Sequence, residues 1–229
     1  MTSCCCPEEN TCTLQVPQMN LSPEASALEA AQAFATHSIP SFAIDKVNWP
    51  ESYPYKPAVT CQIAYSQTAL YLQYHVEENA VLGTYEDDET AHSWENSCVE
   101  FFVSPFAGRT FYYNFETTCI GTCLMACGDG REARQRQPES VTSQILREAS
   151  LGRSAFGLKE EPTAWTLTLV IPWRVMEGVT APQPGSTMKA NFYKCGDNLP
   201  VPHFLSWAPI GTLKPDFHRP EFFGTLQFQ

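Results

Sequence analysis

Positive charge is scarce in this chain: 14 Lys and Arg stand against 25 Asp and Glu, and charged residues of both signs make up only 17%. The net charge of −11 argues against nucleic acid or an anionic membrane as a partner, because phosphate binding is driven by Lys and Arg. A neutral ligand carries no such penalty. Long apolar runs are missing as well, and no window approaches the ~20 residues of a membrane span. The opening residues, Met1 to Glu9, lack the basic and apolar regions of a secretory signal. That reading places the protein in the cytoplasm, or outside it if the gene start is misassigned.

Ten cysteines pose a choice between disulfides, metal and plain thiols. Cys4, Cys5, Cys6 and Cys12 cluster in a polar arm with no second Cys/His pair at zinc-finger spacing, so a structural metal is not expected there. Cys119, Cys123 and Cys127 recur every four residues in or beside a strand-like run. At period two all three share one face, where small thiols pack well. Reduced cysteines are the expectation.

What the chain does have is aromatics, at 12%, and 18 prolines, a balance that favours many turns and few long helices. Residues 1–12 read as a disordered arm and 13–229 as one domain. Leu14–Pro17 suggests a short edge strand. A helix is expected over Glu24–Thr36, capped by Ser22 with Pro23 in its first turn. Residues 58–66 and 69–77 read as a hairpin, and residues 98–104 and 110–120 as a second strand pair. Residues 165–171, 189–195 and 225–228 complete a set typical of an all-β antiparallel sandwich. Residues 128–160 read as an irregular excursion with one helical turn near 139–147.

Two segments carry candidate chemistry. In Trp94-Glu-Asn-Ser-Cys-Val-Glu-Phe-Phe-Val-Ser-Pro105, Val99, Phe101 and Val103 make a core face while Glu100, Phe102 and Ser104 point the other way. A carboxylate in an otherwise hydrophobic strand needs a partner or water. An aromatic platform such as Trp94 beside a hydrogen-bonding acid suits a sugar ring. On the following strand Tyr112, Asn114 and Glu116 share one face and Phe111, Tyr113 and Phe115 the other, which sets an amide and carboxylates beside Glu100. A second aromatic cluster is Phe204-Leu-Ser-Trp207-Ala-Pro, followed by Pro215-Asp-Phe-His-Arg-Pro-Glu-Phe-Phe-Gly224. Trp165 and Trp173 flank a well-alternating strand and are expected in the core.

Trp94-Glu-Asn-Ser-Cys-Val-Glu100, the Tyr-Asn pair at 113–114, Ala190-Asn-Phe-Tyr-Lys194, Ser206-Trp207 and Phe223-Gly-Thr-Leu226 occur in order over roughly residues 40–229. Together they resemble the family 9 carbohydrate-binding modules, and more closely the stand-alone family 9-like proteins of gut-type bacteria. The resemblance implies an immunoglobulin- or jelly-roll-like β-sandwich of carbohydrate-binding-module type with one short N-terminal helix. It implies non-catalytic binding of a small saccharide or polysaccharide end, of glucan or xylan type, in carbohydrate utilisation. Trp94 and Trp207 would clamp the sugar and Glu100 and Asn114 would read its hydroxyls, with Glu116, on the same strand face as Asn114, a further candidate from the residue pattern. The family's Arg on the Asn114 strand falls at Tyr112, and its later polar cluster becomes Tyr193, Lys194 and Asp197. Such modules often hold structural calcium through oxygen ligands, for which the run Glu86, Asp87, Asp88 and Glu89 is the candidate. No other cofactor is implied.

Two other functions fit parts of the pattern. Glu100 and Glu116 could serve glycoside hydrolysis, which uses paired carboxylates. Alternatively, the sandwich could be repurposed for protein contacts or for haem, with His75 or His92 as axial ligands.

Overall fold

The computed structural model describes residues 12–229; the expected disordered arm lies, except for Cys12, outside the described residues. The first five strands are β1 (Thr13–Val16), β2 (Ser41–Ala43), β3 (Lys46–Val47), β4 (Ala58–Tyr65) and β5 (Ala69–Glu78). The next five are β6 (Val81–Gly83), β7 (Cys98–Ser104), β8 (Phe111–Thr118), β9 (Cys123–Asp129) and β10 (Gln135–Arg136). The last six are β11 (Leu146–Ala149), β12 (Phe156–Lys159), β13 (Thr163–Pro172), β14 (Thr187–Cys195), β15 (Phe204–Ser206) and β16 (Gly224–Phe228).

A nine-stranded sheet runs β1-β16-β14-β7-β8-β9-β10, with β15 and β3 added beside β14; a five-stranded sheet runs β11-β13-β5-β4-β2. The central ladders of both sheets are antiparallel, and β1 joins its edge parallel to β16. Strand alternation decides which residues meet between the sheets. Val99, Phe101 and Val103 of β7, Tyr113 and Phe115 of β8 and Phe192 of β14 face inward. They pack against Val59 and Ile63 of β4 and Leu70, Leu72 and Tyr74 of β5. Burying each such side chain contributes about 1.5–3 kcal/mol. Cys119 and Cys123 enter this core and Cys127 packs at its margin, as the shared-face reading expected. Trp165 and Trp173 are buried, their indole N–H groups donating to Glu78 Oε1 at 2.8 Å and to the Ser66 carbonyl at 2.9 Å.

Helix α1 spans Ala27–Thr36, three residues later than expected. Ser26, not Ser22, is the cap. Its Oγ accepts from the Glu29 N–H at 3.2 Å, while Glu29 Oε2 accepts from the Ser26 N–H at 2.8 Å. This capping box satisfies two donors at once, whereas the Ser22 hydroxyl bonds Glu24, ahead of the helix. The Ala27, Ala30, Ala33 and Phe34 face covers Ala64, Ala69, Tyr71 and Val170 on the outer side of the five-stranded sheet.

The polar stretch 128–160 differs more from expectation. It holds a four-residue helix, α2 (Glu139–Thr142), and three strands, β10, β11 and β12. Both residues of β10 and three of the four in β12 are exposed, so no alternating pattern marks them. These strands form by extending edges that β9, β13 and β6 already offer.

Candidate functional site

The outer face of the nine-stranded sheet carries a second set of side chains. Alternation turns Cys98, Glu100 and Phe102 of β7 outward, with Tyr112, Asn114 and Glu116 of β8 and Tyr193 and Cys195 of β14. Register then sets Glu100 opposite Glu116, Phe102 opposite Asn114, and Cys98 opposite Cys195. A cavity of ≈ 470 Å³ opens above this floor, within the size range of small-molecule sites.

Trp94, Glu100, Asn114, Glu116 and Asp197 all line the cavity. Trp94 sits on a short 3-10 turn, Ser93–Glu95, just before β7. Its half-buried indole is stacked by the His92 ring at 4.9 Å and 11°. Two backbone bonds tie the turn to the loop after β14: Asp197 N–H donates to the Trp94 carbonyl at 3.0 Å and Asn198 N–H to that of Glu95 at 3.2 Å. The wall and the carboxylate of Asp197 are therefore held together.

Glu100 is 3% exposed and Glu116 5%. Burial pushes the Glu100 carboxyl well above the usual range, with the Cys195 thiol and then Glu116 adding to the shift. Burial raises Glu116 too, against the pull of Asn114 and the nearby arginines. Asn114 Nδ2 donates to Glu116 Oε1 at 2.7 Å, and Cys195 Sγ donates to Glu100 Oε1 at 3.1 Å. Asp197 is raised to about 6, by burial first and then by Glu95.

Sequence reasoning missed the arginines. Arg131, Arg134 and Arg136 reach the cavity from the hairpin joining β9 to β10. The hairpin doubles back closely at Gly128, whose φ is +152° and where a Cβ would lie 2.2 Å from the Ala133 carbonyl oxygen. Arg134 donates to Asn114 Oδ1, and to the Tyr112 and Ala126 carbonyls at 3.3 and 3.0 Å. Its guanidinium lies 4.1 Å above the Tyr112 ring. Thus a guanidinium does stand beside Asn114, delivered from the next strand pair rather than from position 112. Phe204, the first residue of β15, and Asp216, Phe217 and His218 from the loop that follows complete the cavity. Their only signal in the sequence was the aromatic cluster over residues 204–224.

Four expected site residues do not line the cavity. Tyr112 and Tyr193 lie behind it: Tyr112 Oη bonds His218 Nδ1 at 2.8 Å, and Tyr193 Oη donates to the Phe217 carbonyl at 3.1 Å. Tyr193 also stacks beneath Phe217 at 4.2 Å and 9°, so both tyrosines brace the roof. Lys194 alternates to the inner face. There it is wholly buried and paired with Glu78 Oε2 at 2.9 Å, beside His203 at 2.8 Å. Trp207 corrects the two-tryptophan clamp. It is 7% exposed and packs edge-on against Phe42 and Phe192 in the inter-sheet core. Its backbone N–H donates to the Phe192 carbonyl, and its ring fills the space a Cβ at Gly224 would need, 2.3 Å away.

The acidic run anchors loops. Glu86 Oε1 accepts from the Ala155 N–H, Asp87 from the Glu89 N–H and the Thr90 hydroxyl, and Glu89 Oε1 from the Glu139 N–H. Asp88 pairs with Arg147 at 2.7 Å. His75 lies on β5, where Nε2 meets Gln73 Oε1 at 3.2 Å. His92 instead stacks on Trp94.

Several polar atoms in the cavity are buried without a hydrogen-bond partner: Glu116 Oε2, Asp197 Oδ1, and Arg134 Nε and Nη1. An unsatisfied buried group costs about 1–3 kcal/mol. Acceptors and donors are thus both available, beside aromatic surface.

The sequence profile of carbohydrate-binding family 9 matches residues 29–228. A Bacteroides uniformis ATCC 8492 protein, provisionally described as carbohydrate-binding, is 39% identical. The match covers 95% of this chain and 99% of that one, with a TM-score of 0.88. A family 9 carbohydrate-binding module from Caldicellulosiruptor kristjanssonii, solved with cellotriose, is 11% identical. It matches over 95% of this chain and 93% of its own, with a TM-score of 0.60. A structure of a family 9 module from the same organism, with glucose, aligns at a TM-score of 0.51 and 11% identity, over 95% of each chain. No curated protein matches. The profile match over most of the chain and the 39% identical relative place it: this chain belongs to carbohydrate-binding family 9.

Proposed function

We propose that the cavity on the outer face of the nine-stranded sheet binds the end of a saccharide without catalysing its cleavage. Trp94 gives the sugar ring an apolar platform and Phe217 a second aromatic wall, in the role the sequence assigned to Trp207. Glu116, Asp197 and Arg134 meet its hydroxyls, with Glu100 and Asn114 below them. The observation that carries this reading is the convergence of Trp94 and Phe217 with the unpartnered donors and acceptors of Arg134, Glu116 and Asp197 in one cavity. A sugar hydroxyl both donates and accepts, so vicinal hydroxyls suit such a mixture.

The carboxylates support binding over hydrolysis. Glycosidases place an acid and its partner on either side of the scissile bond, about 5–9.5 Å apart. Glu100 and Glu116 instead rise side by side from one sheet face as directly opposed residues, and both approach a ligand from below.

Calorimetric titration with glucose, cello-oligosaccharides and xylo-oligosaccharides tests the reading. Binding of at least one series is expected, lost in Trp94→Ala and retained in an exposed-surface control such as Leu213→Ala, Leu213 being fully exposed. Equal binding by Trp94→Ala and wild type overturns the site. Turnover of an aryl glycoside that disappears in Glu100→Gln overturns the non-catalytic reading.

A further inference from the structure

We propose that Cys98, Glu100 and Cys195 form a binding site for a thiophilic divalent cation of the zinc class in the cavity floor. Its fourth coordination position would face the cavity. This inference goes beyond saccharide binding and stands whether or not a sugar occupies the cavity.

Strand register creates the cluster. Cys98 and Cys195 are directly opposed across the β7–β14 ladder, and Glu100 follows Cys98 by two residues, so all three share the outer face. Their ligand atoms all lie within 4.8 Å of one another, and Cys195 Sγ is 3.1 Å from Glu100 Oε1. In tetrahedral zinc, with Zn–S ~2.3 Å and Zn–O ~2.0 Å, neighbouring ligand atoms sit roughly 3.3–3.8 Å apart. Closing the cluster around an ion therefore needs a movement of at most about 1.3 Å, within reach of side-chain rotation. Among the described residues this is the only grouping of three or more His, Cys, Asp or Glu with ligand atoms so close.

The setting separates these thiols from the others. Cys119 and Cys123 lie between the sheets among aliphatic and aromatic side chains, where a small thiol simply fills space. Cys98 and Cys195 stand on the opposite face beside a buried carboxylate. Glu100 and Cys195 line the cavity, which gives an ion a path in. Sulfur donors choose the cation: calcium and magnesium take oxygen ligands, whereas thiolates select zinc and its soft relatives. Three protein ligands with an open fourth position match sites in which zinc also holds water or an exogenous oxygen.

Cobalt(II) is the probe, added to chelator-stripped, reduced full-length chain. One equivalent is expected to give thiolate-to-cobalt charge-transfer absorption and intense tetrahedral ligand-field bands, both abolished by one equivalent of zinc. Cys98→Ser/Cys195→Ser removes the charge-transfer band, and Glu100→Gln weakens binding at least about ten-fold, as losing even an outer-shell partner does. Replacing Cys4, Cys5, Cys6 and Cys12 together by Ser leaves the signal in place. The proposal is overturned if the full chain gives no charge transfer, or if the signal leaves with the four N-terminal thiols. It is also overturned if the signal survives in a folded Cys98→Ser/Cys195→Ser variant. Should that variant fail to fold, X-ray absorption of the zinc-loaded wild type decides: two sulfur neighbours support the site, and none or four overturn it.

Discussion

Glu100 of β7 and Glu116 of β8 face each other directly across the antiparallel ladder, 3% and 5% exposed. Like charges directly opposite on a sheet destabilise it, and burial raises both groups. The pair is a cost that the free fold carries. Glu116→Gln keeps the shape and removes one charge. Thermal unfolding of the metal-free, sugar-free variant is expected to show a gain of about 1 kcal/mol. Saccharide affinity should fall about ten-fold, because hydrogen bonds to charged groups contribute about 1.5–3 kcal/mol. An unchanged affinity would remove Glu116 from the site.

The two tryptophans divide function from stability. Trp207 is locked between Phe42, Phe192 and Gly224, so Trp207→Ala should cost about 3–5 kcal/mol in chemical denaturation. Trp94→Ala, at a half-buried wall position, should leave the denaturation midpoint nearly unmoved while abolishing binding. If Trp207→Ala proved as stable as wild type, the core placement of its indole would be wrong.

Phe217→Ala tests the wall that the sequence showed only as one ring of an aromatic cluster. The ring lies over Tyr193 and lines the cavity. Binding by calorimetry should weaken about ten-fold from lost stacking area, since aromatic contacts contribute about 0.5–1.5 kcal/mol beyond burial. Phe217→Tyr, which keeps the ring, should bind nearly as well as wild type.

The buried pair of Lys194 and Glu78 makes a contrast between single and double variants. Lys194→Met strands a carboxylate that also accepts from the Trp165 indole. Breaking such a pair from one side costs about 3–5 kcal/mol. Adding Glu78→Gln removes the stranded charge while keeping an acceptor for Trp165, and urea denaturation should recover at least half of the loss.

Acid should weaken the fold through two histidines. Burial, then Lys194, pushes His203 down to about 2, and burial, then Arg134, pushes His218 down to about 3. Lys194, Glu78 and Tyr55 face His203; Tyr112, Phe102, Arg134 and Arg131 surround His218. Both rings are neutral in the fold at a pH where an unfolded histidine, with its pKa near 6.5, takes a proton. The unfolded state therefore binds more protons as pH falls below about 6.5, and stability present above that value is lost downward at about 1.4 kcal/mol per pH unit per histidine. Below about pH 6 the slope of unfolding free energy against pH should shrink in His218→Gln. An identical slope would assign the acid loss elsewhere.

Much of this architecture was legible because β7, β8 and β14 alternate without interruption. Glu100 beside Asn114 and Glu116 follows from period two and one register choice, and the structure has that register. Lys194 and Trp207 were misplaced for a different reason. A motif fixes residue types along the chain, while the face each side chain takes depends on strand parity. Lys194 falls on the inner parity between Tyr193 and Cys195, and Trp207 follows the three residues that pair β15 with β14. The arginines were hidden because Arg134 sits in the turn just before a two-residue strand with no hydrophobic pattern. Phe217 stood in the second aromatic cluster, where no strand period says which of its rings would face the cavity.

The strands beneath the cavity serve two faces at once, and their parity keeps the two sets of demands apart. On β8, Tyr113 and Phe115 hold the sheets together while Asn114 and Glu116 face the cavity. Each outward residue can change its hydrogen-bonding character without altering the volume between the sheets. Ligand preference in such a sheet can therefore drift one residue at a time while its neighbours keep the protein folded.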